Sequence, residues 1–195
     1  MVTVPSLIFY FDYVDPGSFL VERQLNRILS DKFALIRHPF ELRSVSEPPM
    51  NAQSPEWITY CKTVESRAED IGLRLAHPLS LPWSRKAHEL RLHAVEKGME
   101  EPMHQALLKA RFEDGADVGR IDVLVSIAGS VGLDTTESKA VLDVDRYADA
   151  VAGLRHRAQL EGIKRTPMLC IGPRRLEGPA QINDLRVFLE GKLPI

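Results

Sequence analysis

Residues 7–29 read LIFYFDYVDPGSFLVERQLNRIL, and this stretch decides the fold. Residues 7–14 are mostly apolar and rich in aromatic and branched side chains, which is typical of a strand. In residues 19–29 the apolar side chains recur at helical spacing, which predicts a helix. The residues between them, Asp15-Pro16-Gly17-Ser18, therefore predict a tight turn at a helix start, where unpaired backbone N–H groups favour an anion.

Length and composition limit the class of protein. The chain has 195 residues, of which 44% are hydrophobic and 27% charged, and its formal net charge is −2. This length suits a domain that carries an insertion, and the charge predicts no broad surface for nucleic acid or an anionic membrane. The N-terminus lacks the pattern of a secretory signal, and no apolar run reaches the ~20 residues of a membrane span. We therefore expect a cytoplasmic protein.

The chain has two cysteines, Cys61 and Cys170, and neither belongs to a CxxC motif. A structural disulfide is not expected in a reducing compartment. Cys61 lies on the apolar face of a predicted helix and Cys170 in a predicted buried strand, so we interpret both as small core side chains. The histidines do not share a ligand face, and the sequence predicts no metal site.

Beyond the first helix, the chain changes between strand and helix patterns. Residues 33–42 predict a second strand, and the polar loop that follows is the candidate boundary of an insertion. From 54 to 162 the pattern is helical almost throughout. Residues 168–177 then predict a β-hairpin, which a C-terminal helix follows. We expect residues 1–53 plus 163–195 to form one domain, and residues 54–162 to form an inserted helical domain.

This order of elements resembles the DsbA-like thioredoxin-fold superfamily. It is closest to the branch of FrnE-type oxidoreductases, 2-hydroxychromene-2-carboxylate isomerases and kappa-class glutathione transferases. Four stretches carry the resemblance: residues 9–20, 38–42, 106–134 and 162–169. The resemblance implies an α/β fold, namely a thioredoxin-like fold with a large all-helical insertion.

The turn departs from the family's active-site pattern. In the oxidoreductases it reads Cys-Pro-x-Cys, and the attacking and resolving cysteines fall on Asp15 and Ser18 of this chain. Dithiol–disulfide exchange needs a sulfur nucleophile, so this turn is not expected to perform it. In the isomerase and transferase branch, a serine at the position of Asp15 hydrogen-bonds the thiolate of glutathione. The resemblance implies Asp15 and Ser18 as catalytic residues, with Pro16 and Gly17 in substrate binding.

Two roles for Asp15 remain open. A carboxylate at a helix N-terminus, followed by proline at the first helical position, is a common helix cap that contributes about 1 kcal/mol. Alternatively, Asp15 acts as a general base if burial raises its pKa toward the working range. An ionised Asp15 would repel a glutathione thiolate at the turn.

Three further positions match or replace family features around the site. Thr166-Pro167 matches the family's cis-proline, so the main chain of Thr166 is expected to form a ledge for substrate; a trans proline that begins a strand is the alternative. Trp83 stands close to the place of an asparagine that often opens a helix near the active site in the isomerase-like branch. The same branch has a Gly-x-Asp pattern whose acid helps to hold glutathione; here Gly178-Pro179-Ala180 keeps the glycine and lacks the acid, and Gln181 offers a substitute hydrogen bond. We expect Trp83 and Gln181 to contribute to substrate binding.

The resemblance implies a protein that binds a small organic substrate or glutathione for isomerase or transferase chemistry. No cofactor is required, glutathione is a possible one, and a homodimer is possible. One alternative is a catalytically silent protein that binds a peptide or a partner. Another is a single-cysteine thiol reductase that uses Cys170.

Overall fold

The computed structural model describes residues 4–48, 50–76 and 81–191. Strands and helices follow one another in the predicted order. The elements are β1 (Ser6–Phe11), α1 (Pro16–Ile28), β2 (Ala34–Pro39), α2 (Pro55–Glu69), α3 (Arg85–Glu96), α4 (Glu100–Phe112), α5 (Ile121–Ser130), α6 (Thr135–Asp143), α7 (Ala148–Leu160), β3 (Met168–Ile171), β4 (Arg174–Glu177) and α8 (Ile182–Leu189).

The four described strands form one mixed sheet in the order β2-β1-β3-β4. Strand β1 pairs parallel with β2, as the predicted β-α-β crossover requires, and antiparallel with β3. Strands β3 and β4 form the predicted antiparallel hairpin. The predicted α/β architecture, with its long helical segment between β2 and β3, is confirmed.

Side chains alternate between the two faces of β1, and each face packs against different helices. Leu7, Phe9 and Phe11 lie in the largest apolar cluster, which also contains Leu90 of α3 and Leu107 of α4. This cluster joins the sheet to the helices between β2 and β3. The division of the chain at residues 53 and 163 into two domains stays a prediction.

The opposite face of the sheet carries a smaller apolar cluster. Tyr10 of β1 packs there with Met168 and Cys170 of β3 and with Ala158 of α7. Cys170 is 7% exposed, and the side chain is a small core residue as predicted. Helix α7 therefore covers the face of the sheet that Cys170 occupies.

Several helix ends follow the signals in the sequence. Ser54 caps α2 by accepting a hydrogen bond from the Trp57 N–H at 3.2 Å, and Pro55 is the first helical residue. Asp134 caps α6 by accepting from the Glu137 N–H at 2.7 Å. In the described ranges, no helix is both long and apolar enough to cross a membrane.

Candidate functional site

The turn that joins β1 to α1 supplies its own anion. Asp15 is the N-cap of α1, and its carboxylate accepts hydrogen bonds from the Gly17 N–H at 3.0 Å and the Ser18 N–H at 3.1 Å. The Ser18 hydroxyl donates a third hydrogen bond to the same carboxylate at 2.6 Å. The backbone N–H groups that would bind an external anion are therefore occupied by Asp15.

A fourth donor comes from α2. The Tyr60 hydroxyl donates to Oδ1 of Asp15 at 2.6 Å, and Asp15 is only 1% exposed. Tyr60 was not among the predicted site residues, because its spacing from Trp57 and Val64 places it on the apolar face of α2, where it packs with Val64 and Ala68 and resembles a core residue. The structure thus encloses the carboxylate between the helix start and a tyrosine that is 45 residues away in the chain.

Burial and hydrogen bonding act on Asp15 in opposite directions. Burial raises the pKa of the Asp15 carboxyl above its ordinary value, while the hydroxyl groups of Ser18, Tyr60 and Thr166 and the Gly17 N–H limit the increase. Burial and the nearby Asp15 charge also raise the pKa of the Tyr60 hydroxyl. Tyr60 therefore stays protonated and remains a hydrogen-bond donor to Asp15.

The predicted cis-proline faces the turn. The peptide bond between Thr166 and Pro167 is cis, as expected. A Cβ added to Gly17 would lie 3.0 Å from Cδ of Pro167 and 3.2 Å from Cβ of Pro179, and it would collide with the Tyr60 hydroxyl. These side chains fill the space above the helix start, so the ledge at Thr166 does not border an open groove at Gly17.

Besides the Tyr60 hydrogen bond, a second polar contact holds α2 against the region of the turn. The Arg67 guanidinium donates a hydrogen bond to the Pro179 carbonyl, in the loop before α8. Val64 and Ala68 of α2 pack on Leu20 of α1. These contacts hold α2 against the beginning of α1.

A pocket of about 450 Å³ lies beside the enclosed turn. Val14 and Pro16, the neighbours of Asp15 in the chain, form part of its wall, whereas Asp15 does not. The remaining apolar lining comes mainly from α2, α4 and the segment that precedes α3. These apolar side chains are Trp57, Ile58, Leu75, Leu81 and Phe112.

The pocket also has a small number of polar side chains. Cys61, Lys62 and Glu65 contribute from α2, and Arg111 contributes from α4. Burial lowers the pKa of Arg111 to about 10, so the guanidinium stays charged at neutral pH. Burial and the Glu65 and Asp15 charges raise the pKa of Cys61 to about 11, which leaves a protonated and poorly nucleophilic thiol. The interpretation of Cys61 as a core side chain is wrong, because this partly buried residue lines the pocket.

The remaining predicted site residues lie in four different places. Pro16 lines the pocket, and Ser18 is committed to the turn, where its hydroxyl also accepts a 3.2 Å hydrogen bond from the Asp12 N–H. Trp83 precedes α3 and stacks against Arg43 outside the main pocket. Gln181 is exposed and forms a capping box with Asp184 at the start of α8, so the structure does not bring it to the pocket.

Asp12 lies just before the turn and connects it to two other parts of the chain. This role was not predicted from the sequence. Its buried carboxylate accepts from the Leu42 N–H at 2.7 Å and pairs with Nε2 of His88 at 3.1 Å. The first contact fixes the chain that follows β2, and the second fixes α3. The sequence does contain a signal for this role, since Asp12 is an acidic residue within an apolar strand pattern. A carboxylate buried in this way needs hydrogen-bond or ionic partners from other parts of the chain.

Cys170 does not line the pocket and belongs to a different apolar cluster from the pocket residues Val14 and Phe112. Its side chain belongs to the cluster between the sheet and α7, whereas Pro167 faces the turn. Burial raises the pKa of the Cys170 thiol. The placement of Cys170 does not support a thiol reductase that uses it at the turn.

Comparisons with known proteins agree on the family. A family model described as a DSBA-like thioredoxin domain matches residues 6–190. The uncharacterised protein YwbO of Bacillus subtilis (strain 168) is 27% identical over 178 residues, and the match covers 88% of each chain.

Three solved structures share the fold at low sequence identity. A 2-hydroxychromene-2-carboxylate isomerase superposes with a TM-score of 0.80 at 16% identity, covering 95% of this chain and 93% of that one. A probable DsbA oxidoreductase from Streptomyces coelicolor gives 0.73 at 21% identity, with coverage of 98% and 92%. The cytosolic disulfide reductase DsbM from Pseudomonas aeruginosa, solved with GSH, gives 0.65 at 15% identity, with coverage of 95% and 98%.

Proposed function

This chain belongs to the DsbA-like thioredoxin family, and we propose that it binds a small, largely apolar organic molecule in the pocket beside the turn rather than exchanging disulfides there. The observation that carries this proposal is the pocket of about 450 Å³ whose wall includes both chain neighbours of Asp15. The ligand site thus lies next to the family's active-site turn, and the turn itself is filled by Asp15 and Tyr60.

The absence of sulfur at the turn supports a function other than dithiol–disulfide exchange. Asp15 and Ser18 stand where the family's oxidoreductases have cysteines, and neither side chain can enter a mixed disulfide. Cys61 lies in the pocket with a raised pKa, and Cys170 lies under α7. The two thiols are therefore too separated to form a redox pair with each other.

The size and lining of the pocket favour a ligand of one or two rings. Ligand sites are commonly about 300–1,000 Å³, apolar for the most part, with a small number of polar groups that orient the ligand. Here the apolar wall includes Trp57, Ile58 and Phe112, and Arg111 adds a positive charge. This combination suits an aromatic or alicyclic body with a polar substituent.

Two of the structural neighbours suggest ligand classes for the test. One is named for an isomerase of an aromatic carboxylate, and another was solved with GSH. We include glutathione as a ligand of the pocket, with its thiol away from the turn, because the enclosed Asp15 carboxylate would repel a thiolate at that position.

One observation favours isomerase-type catalysis by Asp15 as a second candidate function. Burial raises the pKa of the Asp15 carboxyl, which makes it a better proton acceptor than an exposed aspartate. The four hydrogen bonds to this carboxylate favour the binding role instead, because they occupy its oxygens and hold it away from the pocket wall. The variant Asp15→Asn distinguishes the binding role from the catalytic role. Asparagine also caps helices, so the variant should keep its ligand affinity whichever role is correct. It should lose turnover only if Asp15 acts as a base.

The proposal is tested by titrating a panel of one- and two-ring acids, their amides and glutathione into the protein by calorimetry. Cys61→Phe places a ring in the pocket and is expected to weaken binding of the best ligand by about tenfold or more. Thr63→Phe, at an exposed position of the same helix, is the matched control and should leave the affinity unchanged. The proposal is wrong if no compound binds, or if both variants bind the ligand as the wild type does.

A further inference from the structure

We infer that the ligand carries an anionic group, and that Arg43 and Trp83 bind this group at a subsite next to the main pocket. The inference rests on the proposed function, because it names the class of ligand that the pocket takes. It is based on a buried guanidinium that the fold leaves without hydrogen-bond partners.

Arg43 follows β2 and is only 9% exposed. Its Nε and Nη1 atoms are inaccessible to solvent and have no hydrogen-bond partner in the part of the chain that the structure describes. Buried charged groups are normally paired, because a guanidinium that loses its hydration without gaining hydrogen bonds is costly. Arg43 is the one arginine of the described residues with two such atoms, and an acceptor from outside the chain would satisfy both if the side chain turned its edge toward the depression that it lines.

Trp83 fixes the position of this guanidinium. Cζ of Arg43 lies 3.5 Å from the centroid of the Trp83 ring, which is a close cation–π contact. Stacking on a ring covers one face of the guanidinium and leaves its edge, with the N–H donors, for hydrogen bonds in the plane. That edge matches the two oxygens of a carboxylate.

The acidic side chains around Arg43 are committed elsewhere. Asp12 accepts from the Leu42 N–H and pairs with His88. Glu47 accepts from the Ser44 N–H and from Arg155. Burial, reinforced by the Asp12 charge, raises the pKa of Glu41 to about 7, so at neutral pH this residue supplies only part of a negative charge. These carboxylates lie near enough to favour the charged form of Arg43, yet none of them is a hydrogen-bond partner of its Nε or Nη1.

The subsite adjoins the main pocket. Arg43 and Trp83 line a small depression together with Val14 and Leu81, and these last two residues also line the main pocket. The depression holds only about 10 Å³, so a carboxylate attached to a ligand body on Val14 and Leu81 would reach the donors of Arg43 once the Arg43 or Trp83 side chain shifts to admit it. Arg111 is less suited to this role, since its Nη1 already donates to the Ala116 carbonyl and Asp117 lies close enough to favour its charged form.

The test compares 2-naphthoate with 2-naphthamide, which have the same ring body but differ in charge, by calorimetric titration. The wild type should bind the acid about tenfold or more tightly than the amide. Arg43→Met should remove this preference by weakening the acid alone. Arg186→Met, at an exposed arginine of α8, is the matched control and should keep the preference.

Trp83→Leu is the second variant, and it keeps the test valid if Arg43→Met does not fold. It should lower the affinity for the acid more than the affinity for the amide, because it removes the surface that orients Arg43. The subsite proposal is wrong if the wild type binds the acid and the amide equally, or if the variants lose the same affinity for both compounds. Either result would still agree with ligand binding in the main pocket. If neither compound nor any other panel member binds, the proposed function itself fails.

Discussion

The Tyr60 hydroxyl donates a 2.6 Å hydrogen bond to Oδ1 of Asp15 and thereby joins α2 to the start of α1. Without the Tyr60 side chain, Oδ1 of Asp15 would lose the hydrogen bond that it accepts from α2. The contact explains why the position of the family's attacking cysteine is enclosed here, and it supplies the first prediction.

Tyr60→Phe should lower the free energy of unfolding by about 1–2 kcal/mol, because it removes a donor from a buried carboxylate. Chemical denaturation of the single variants Tyr60→Phe and Asp15→Ala and of the double variant measures the coupling between the two residues. A coupling close to zero would show that the hydrogen bond does not hold α2 over the turn.

Gly17→Ala should destabilise the protein by about 1–3 kcal/mol, although alanine is the better helix former. The added Cβ would collide with the Tyr60 hydroxyl and crowd Pro167. Tyr60→Phe should relieve part of this cost in the double variant, since it removes the colliding oxygen. Gly153→Ala on α7 is the matched control, where the nearest atom is 3.5 Å away on the flexible Arg157 side chain, and stability should stay equal or rise. A Gly17→Ala variant as stable as that control would contradict the close packing of the turn.

Glu22 should contribute stability that is lost in acid. Burial opposes its ionisation, but His104 and Arg37 outweigh burial and lower the pKa of Glu22 from 4.5 to about 2. Because the pKa is lower in the folded state, this contribution is present above pH 4.5 and disappears as the pH falls toward 2. Glu22→Gln should flatten the pH dependence of the unfolding free energy in that window. Glu113→Gln, which alters an exposed pair with Arg23, should leave it nearly unchanged.

Glu41 should have the opposite dependence on pH. Burial and the Asp12 charge raise the pKa of Glu41 from 4.5 to about 7, so the folded state binds a proton that the unfolded state has released. Stability should therefore fall as the pH rises from 4.5 to 7, by up to about 3 kcal/mol. Glu41→Gln should remove this slope and give the more stable protein at pH 8. An unchanged slope in thermal unfolding series would contradict the burial of this carboxyl.

The frame of the fold could be predicted from local patterns. The apolar strand that ends at Val14, the cap at Asp15 and the capped starts of α2 and α6 depend on side chains within three or four residues of each other. The cis bond before Pro167 followed from resemblance to a family and could not be deduced from the dipeptide alone.

The site itself depends on contacts that local patterns do not contain. Tyr60 lies on the apolar face of its helix like a core residue, and Arg43 lies in a polar loop, so neither residue shows its role through periodicity. Cys61 belongs to the apolar stripe, yet it faces a cavity rather than the core. Such placements are decided by how α2 packs on α1 and on the chain that precedes α3.

The location of the bound ligand tests the central claim most directly. Amide chemical shifts of the labelled protein would be followed by NMR during titration with 2-naphthoate or the best ligand of the panel. The predicted result is that saturable shifts concentrate at the pocket lining, such as Val14, Trp57, Cys61 and Leu81, while Cys170 under α7 does not shift. Shifts centred on Cys170, or no saturable shifts at the pocket, would contradict the account.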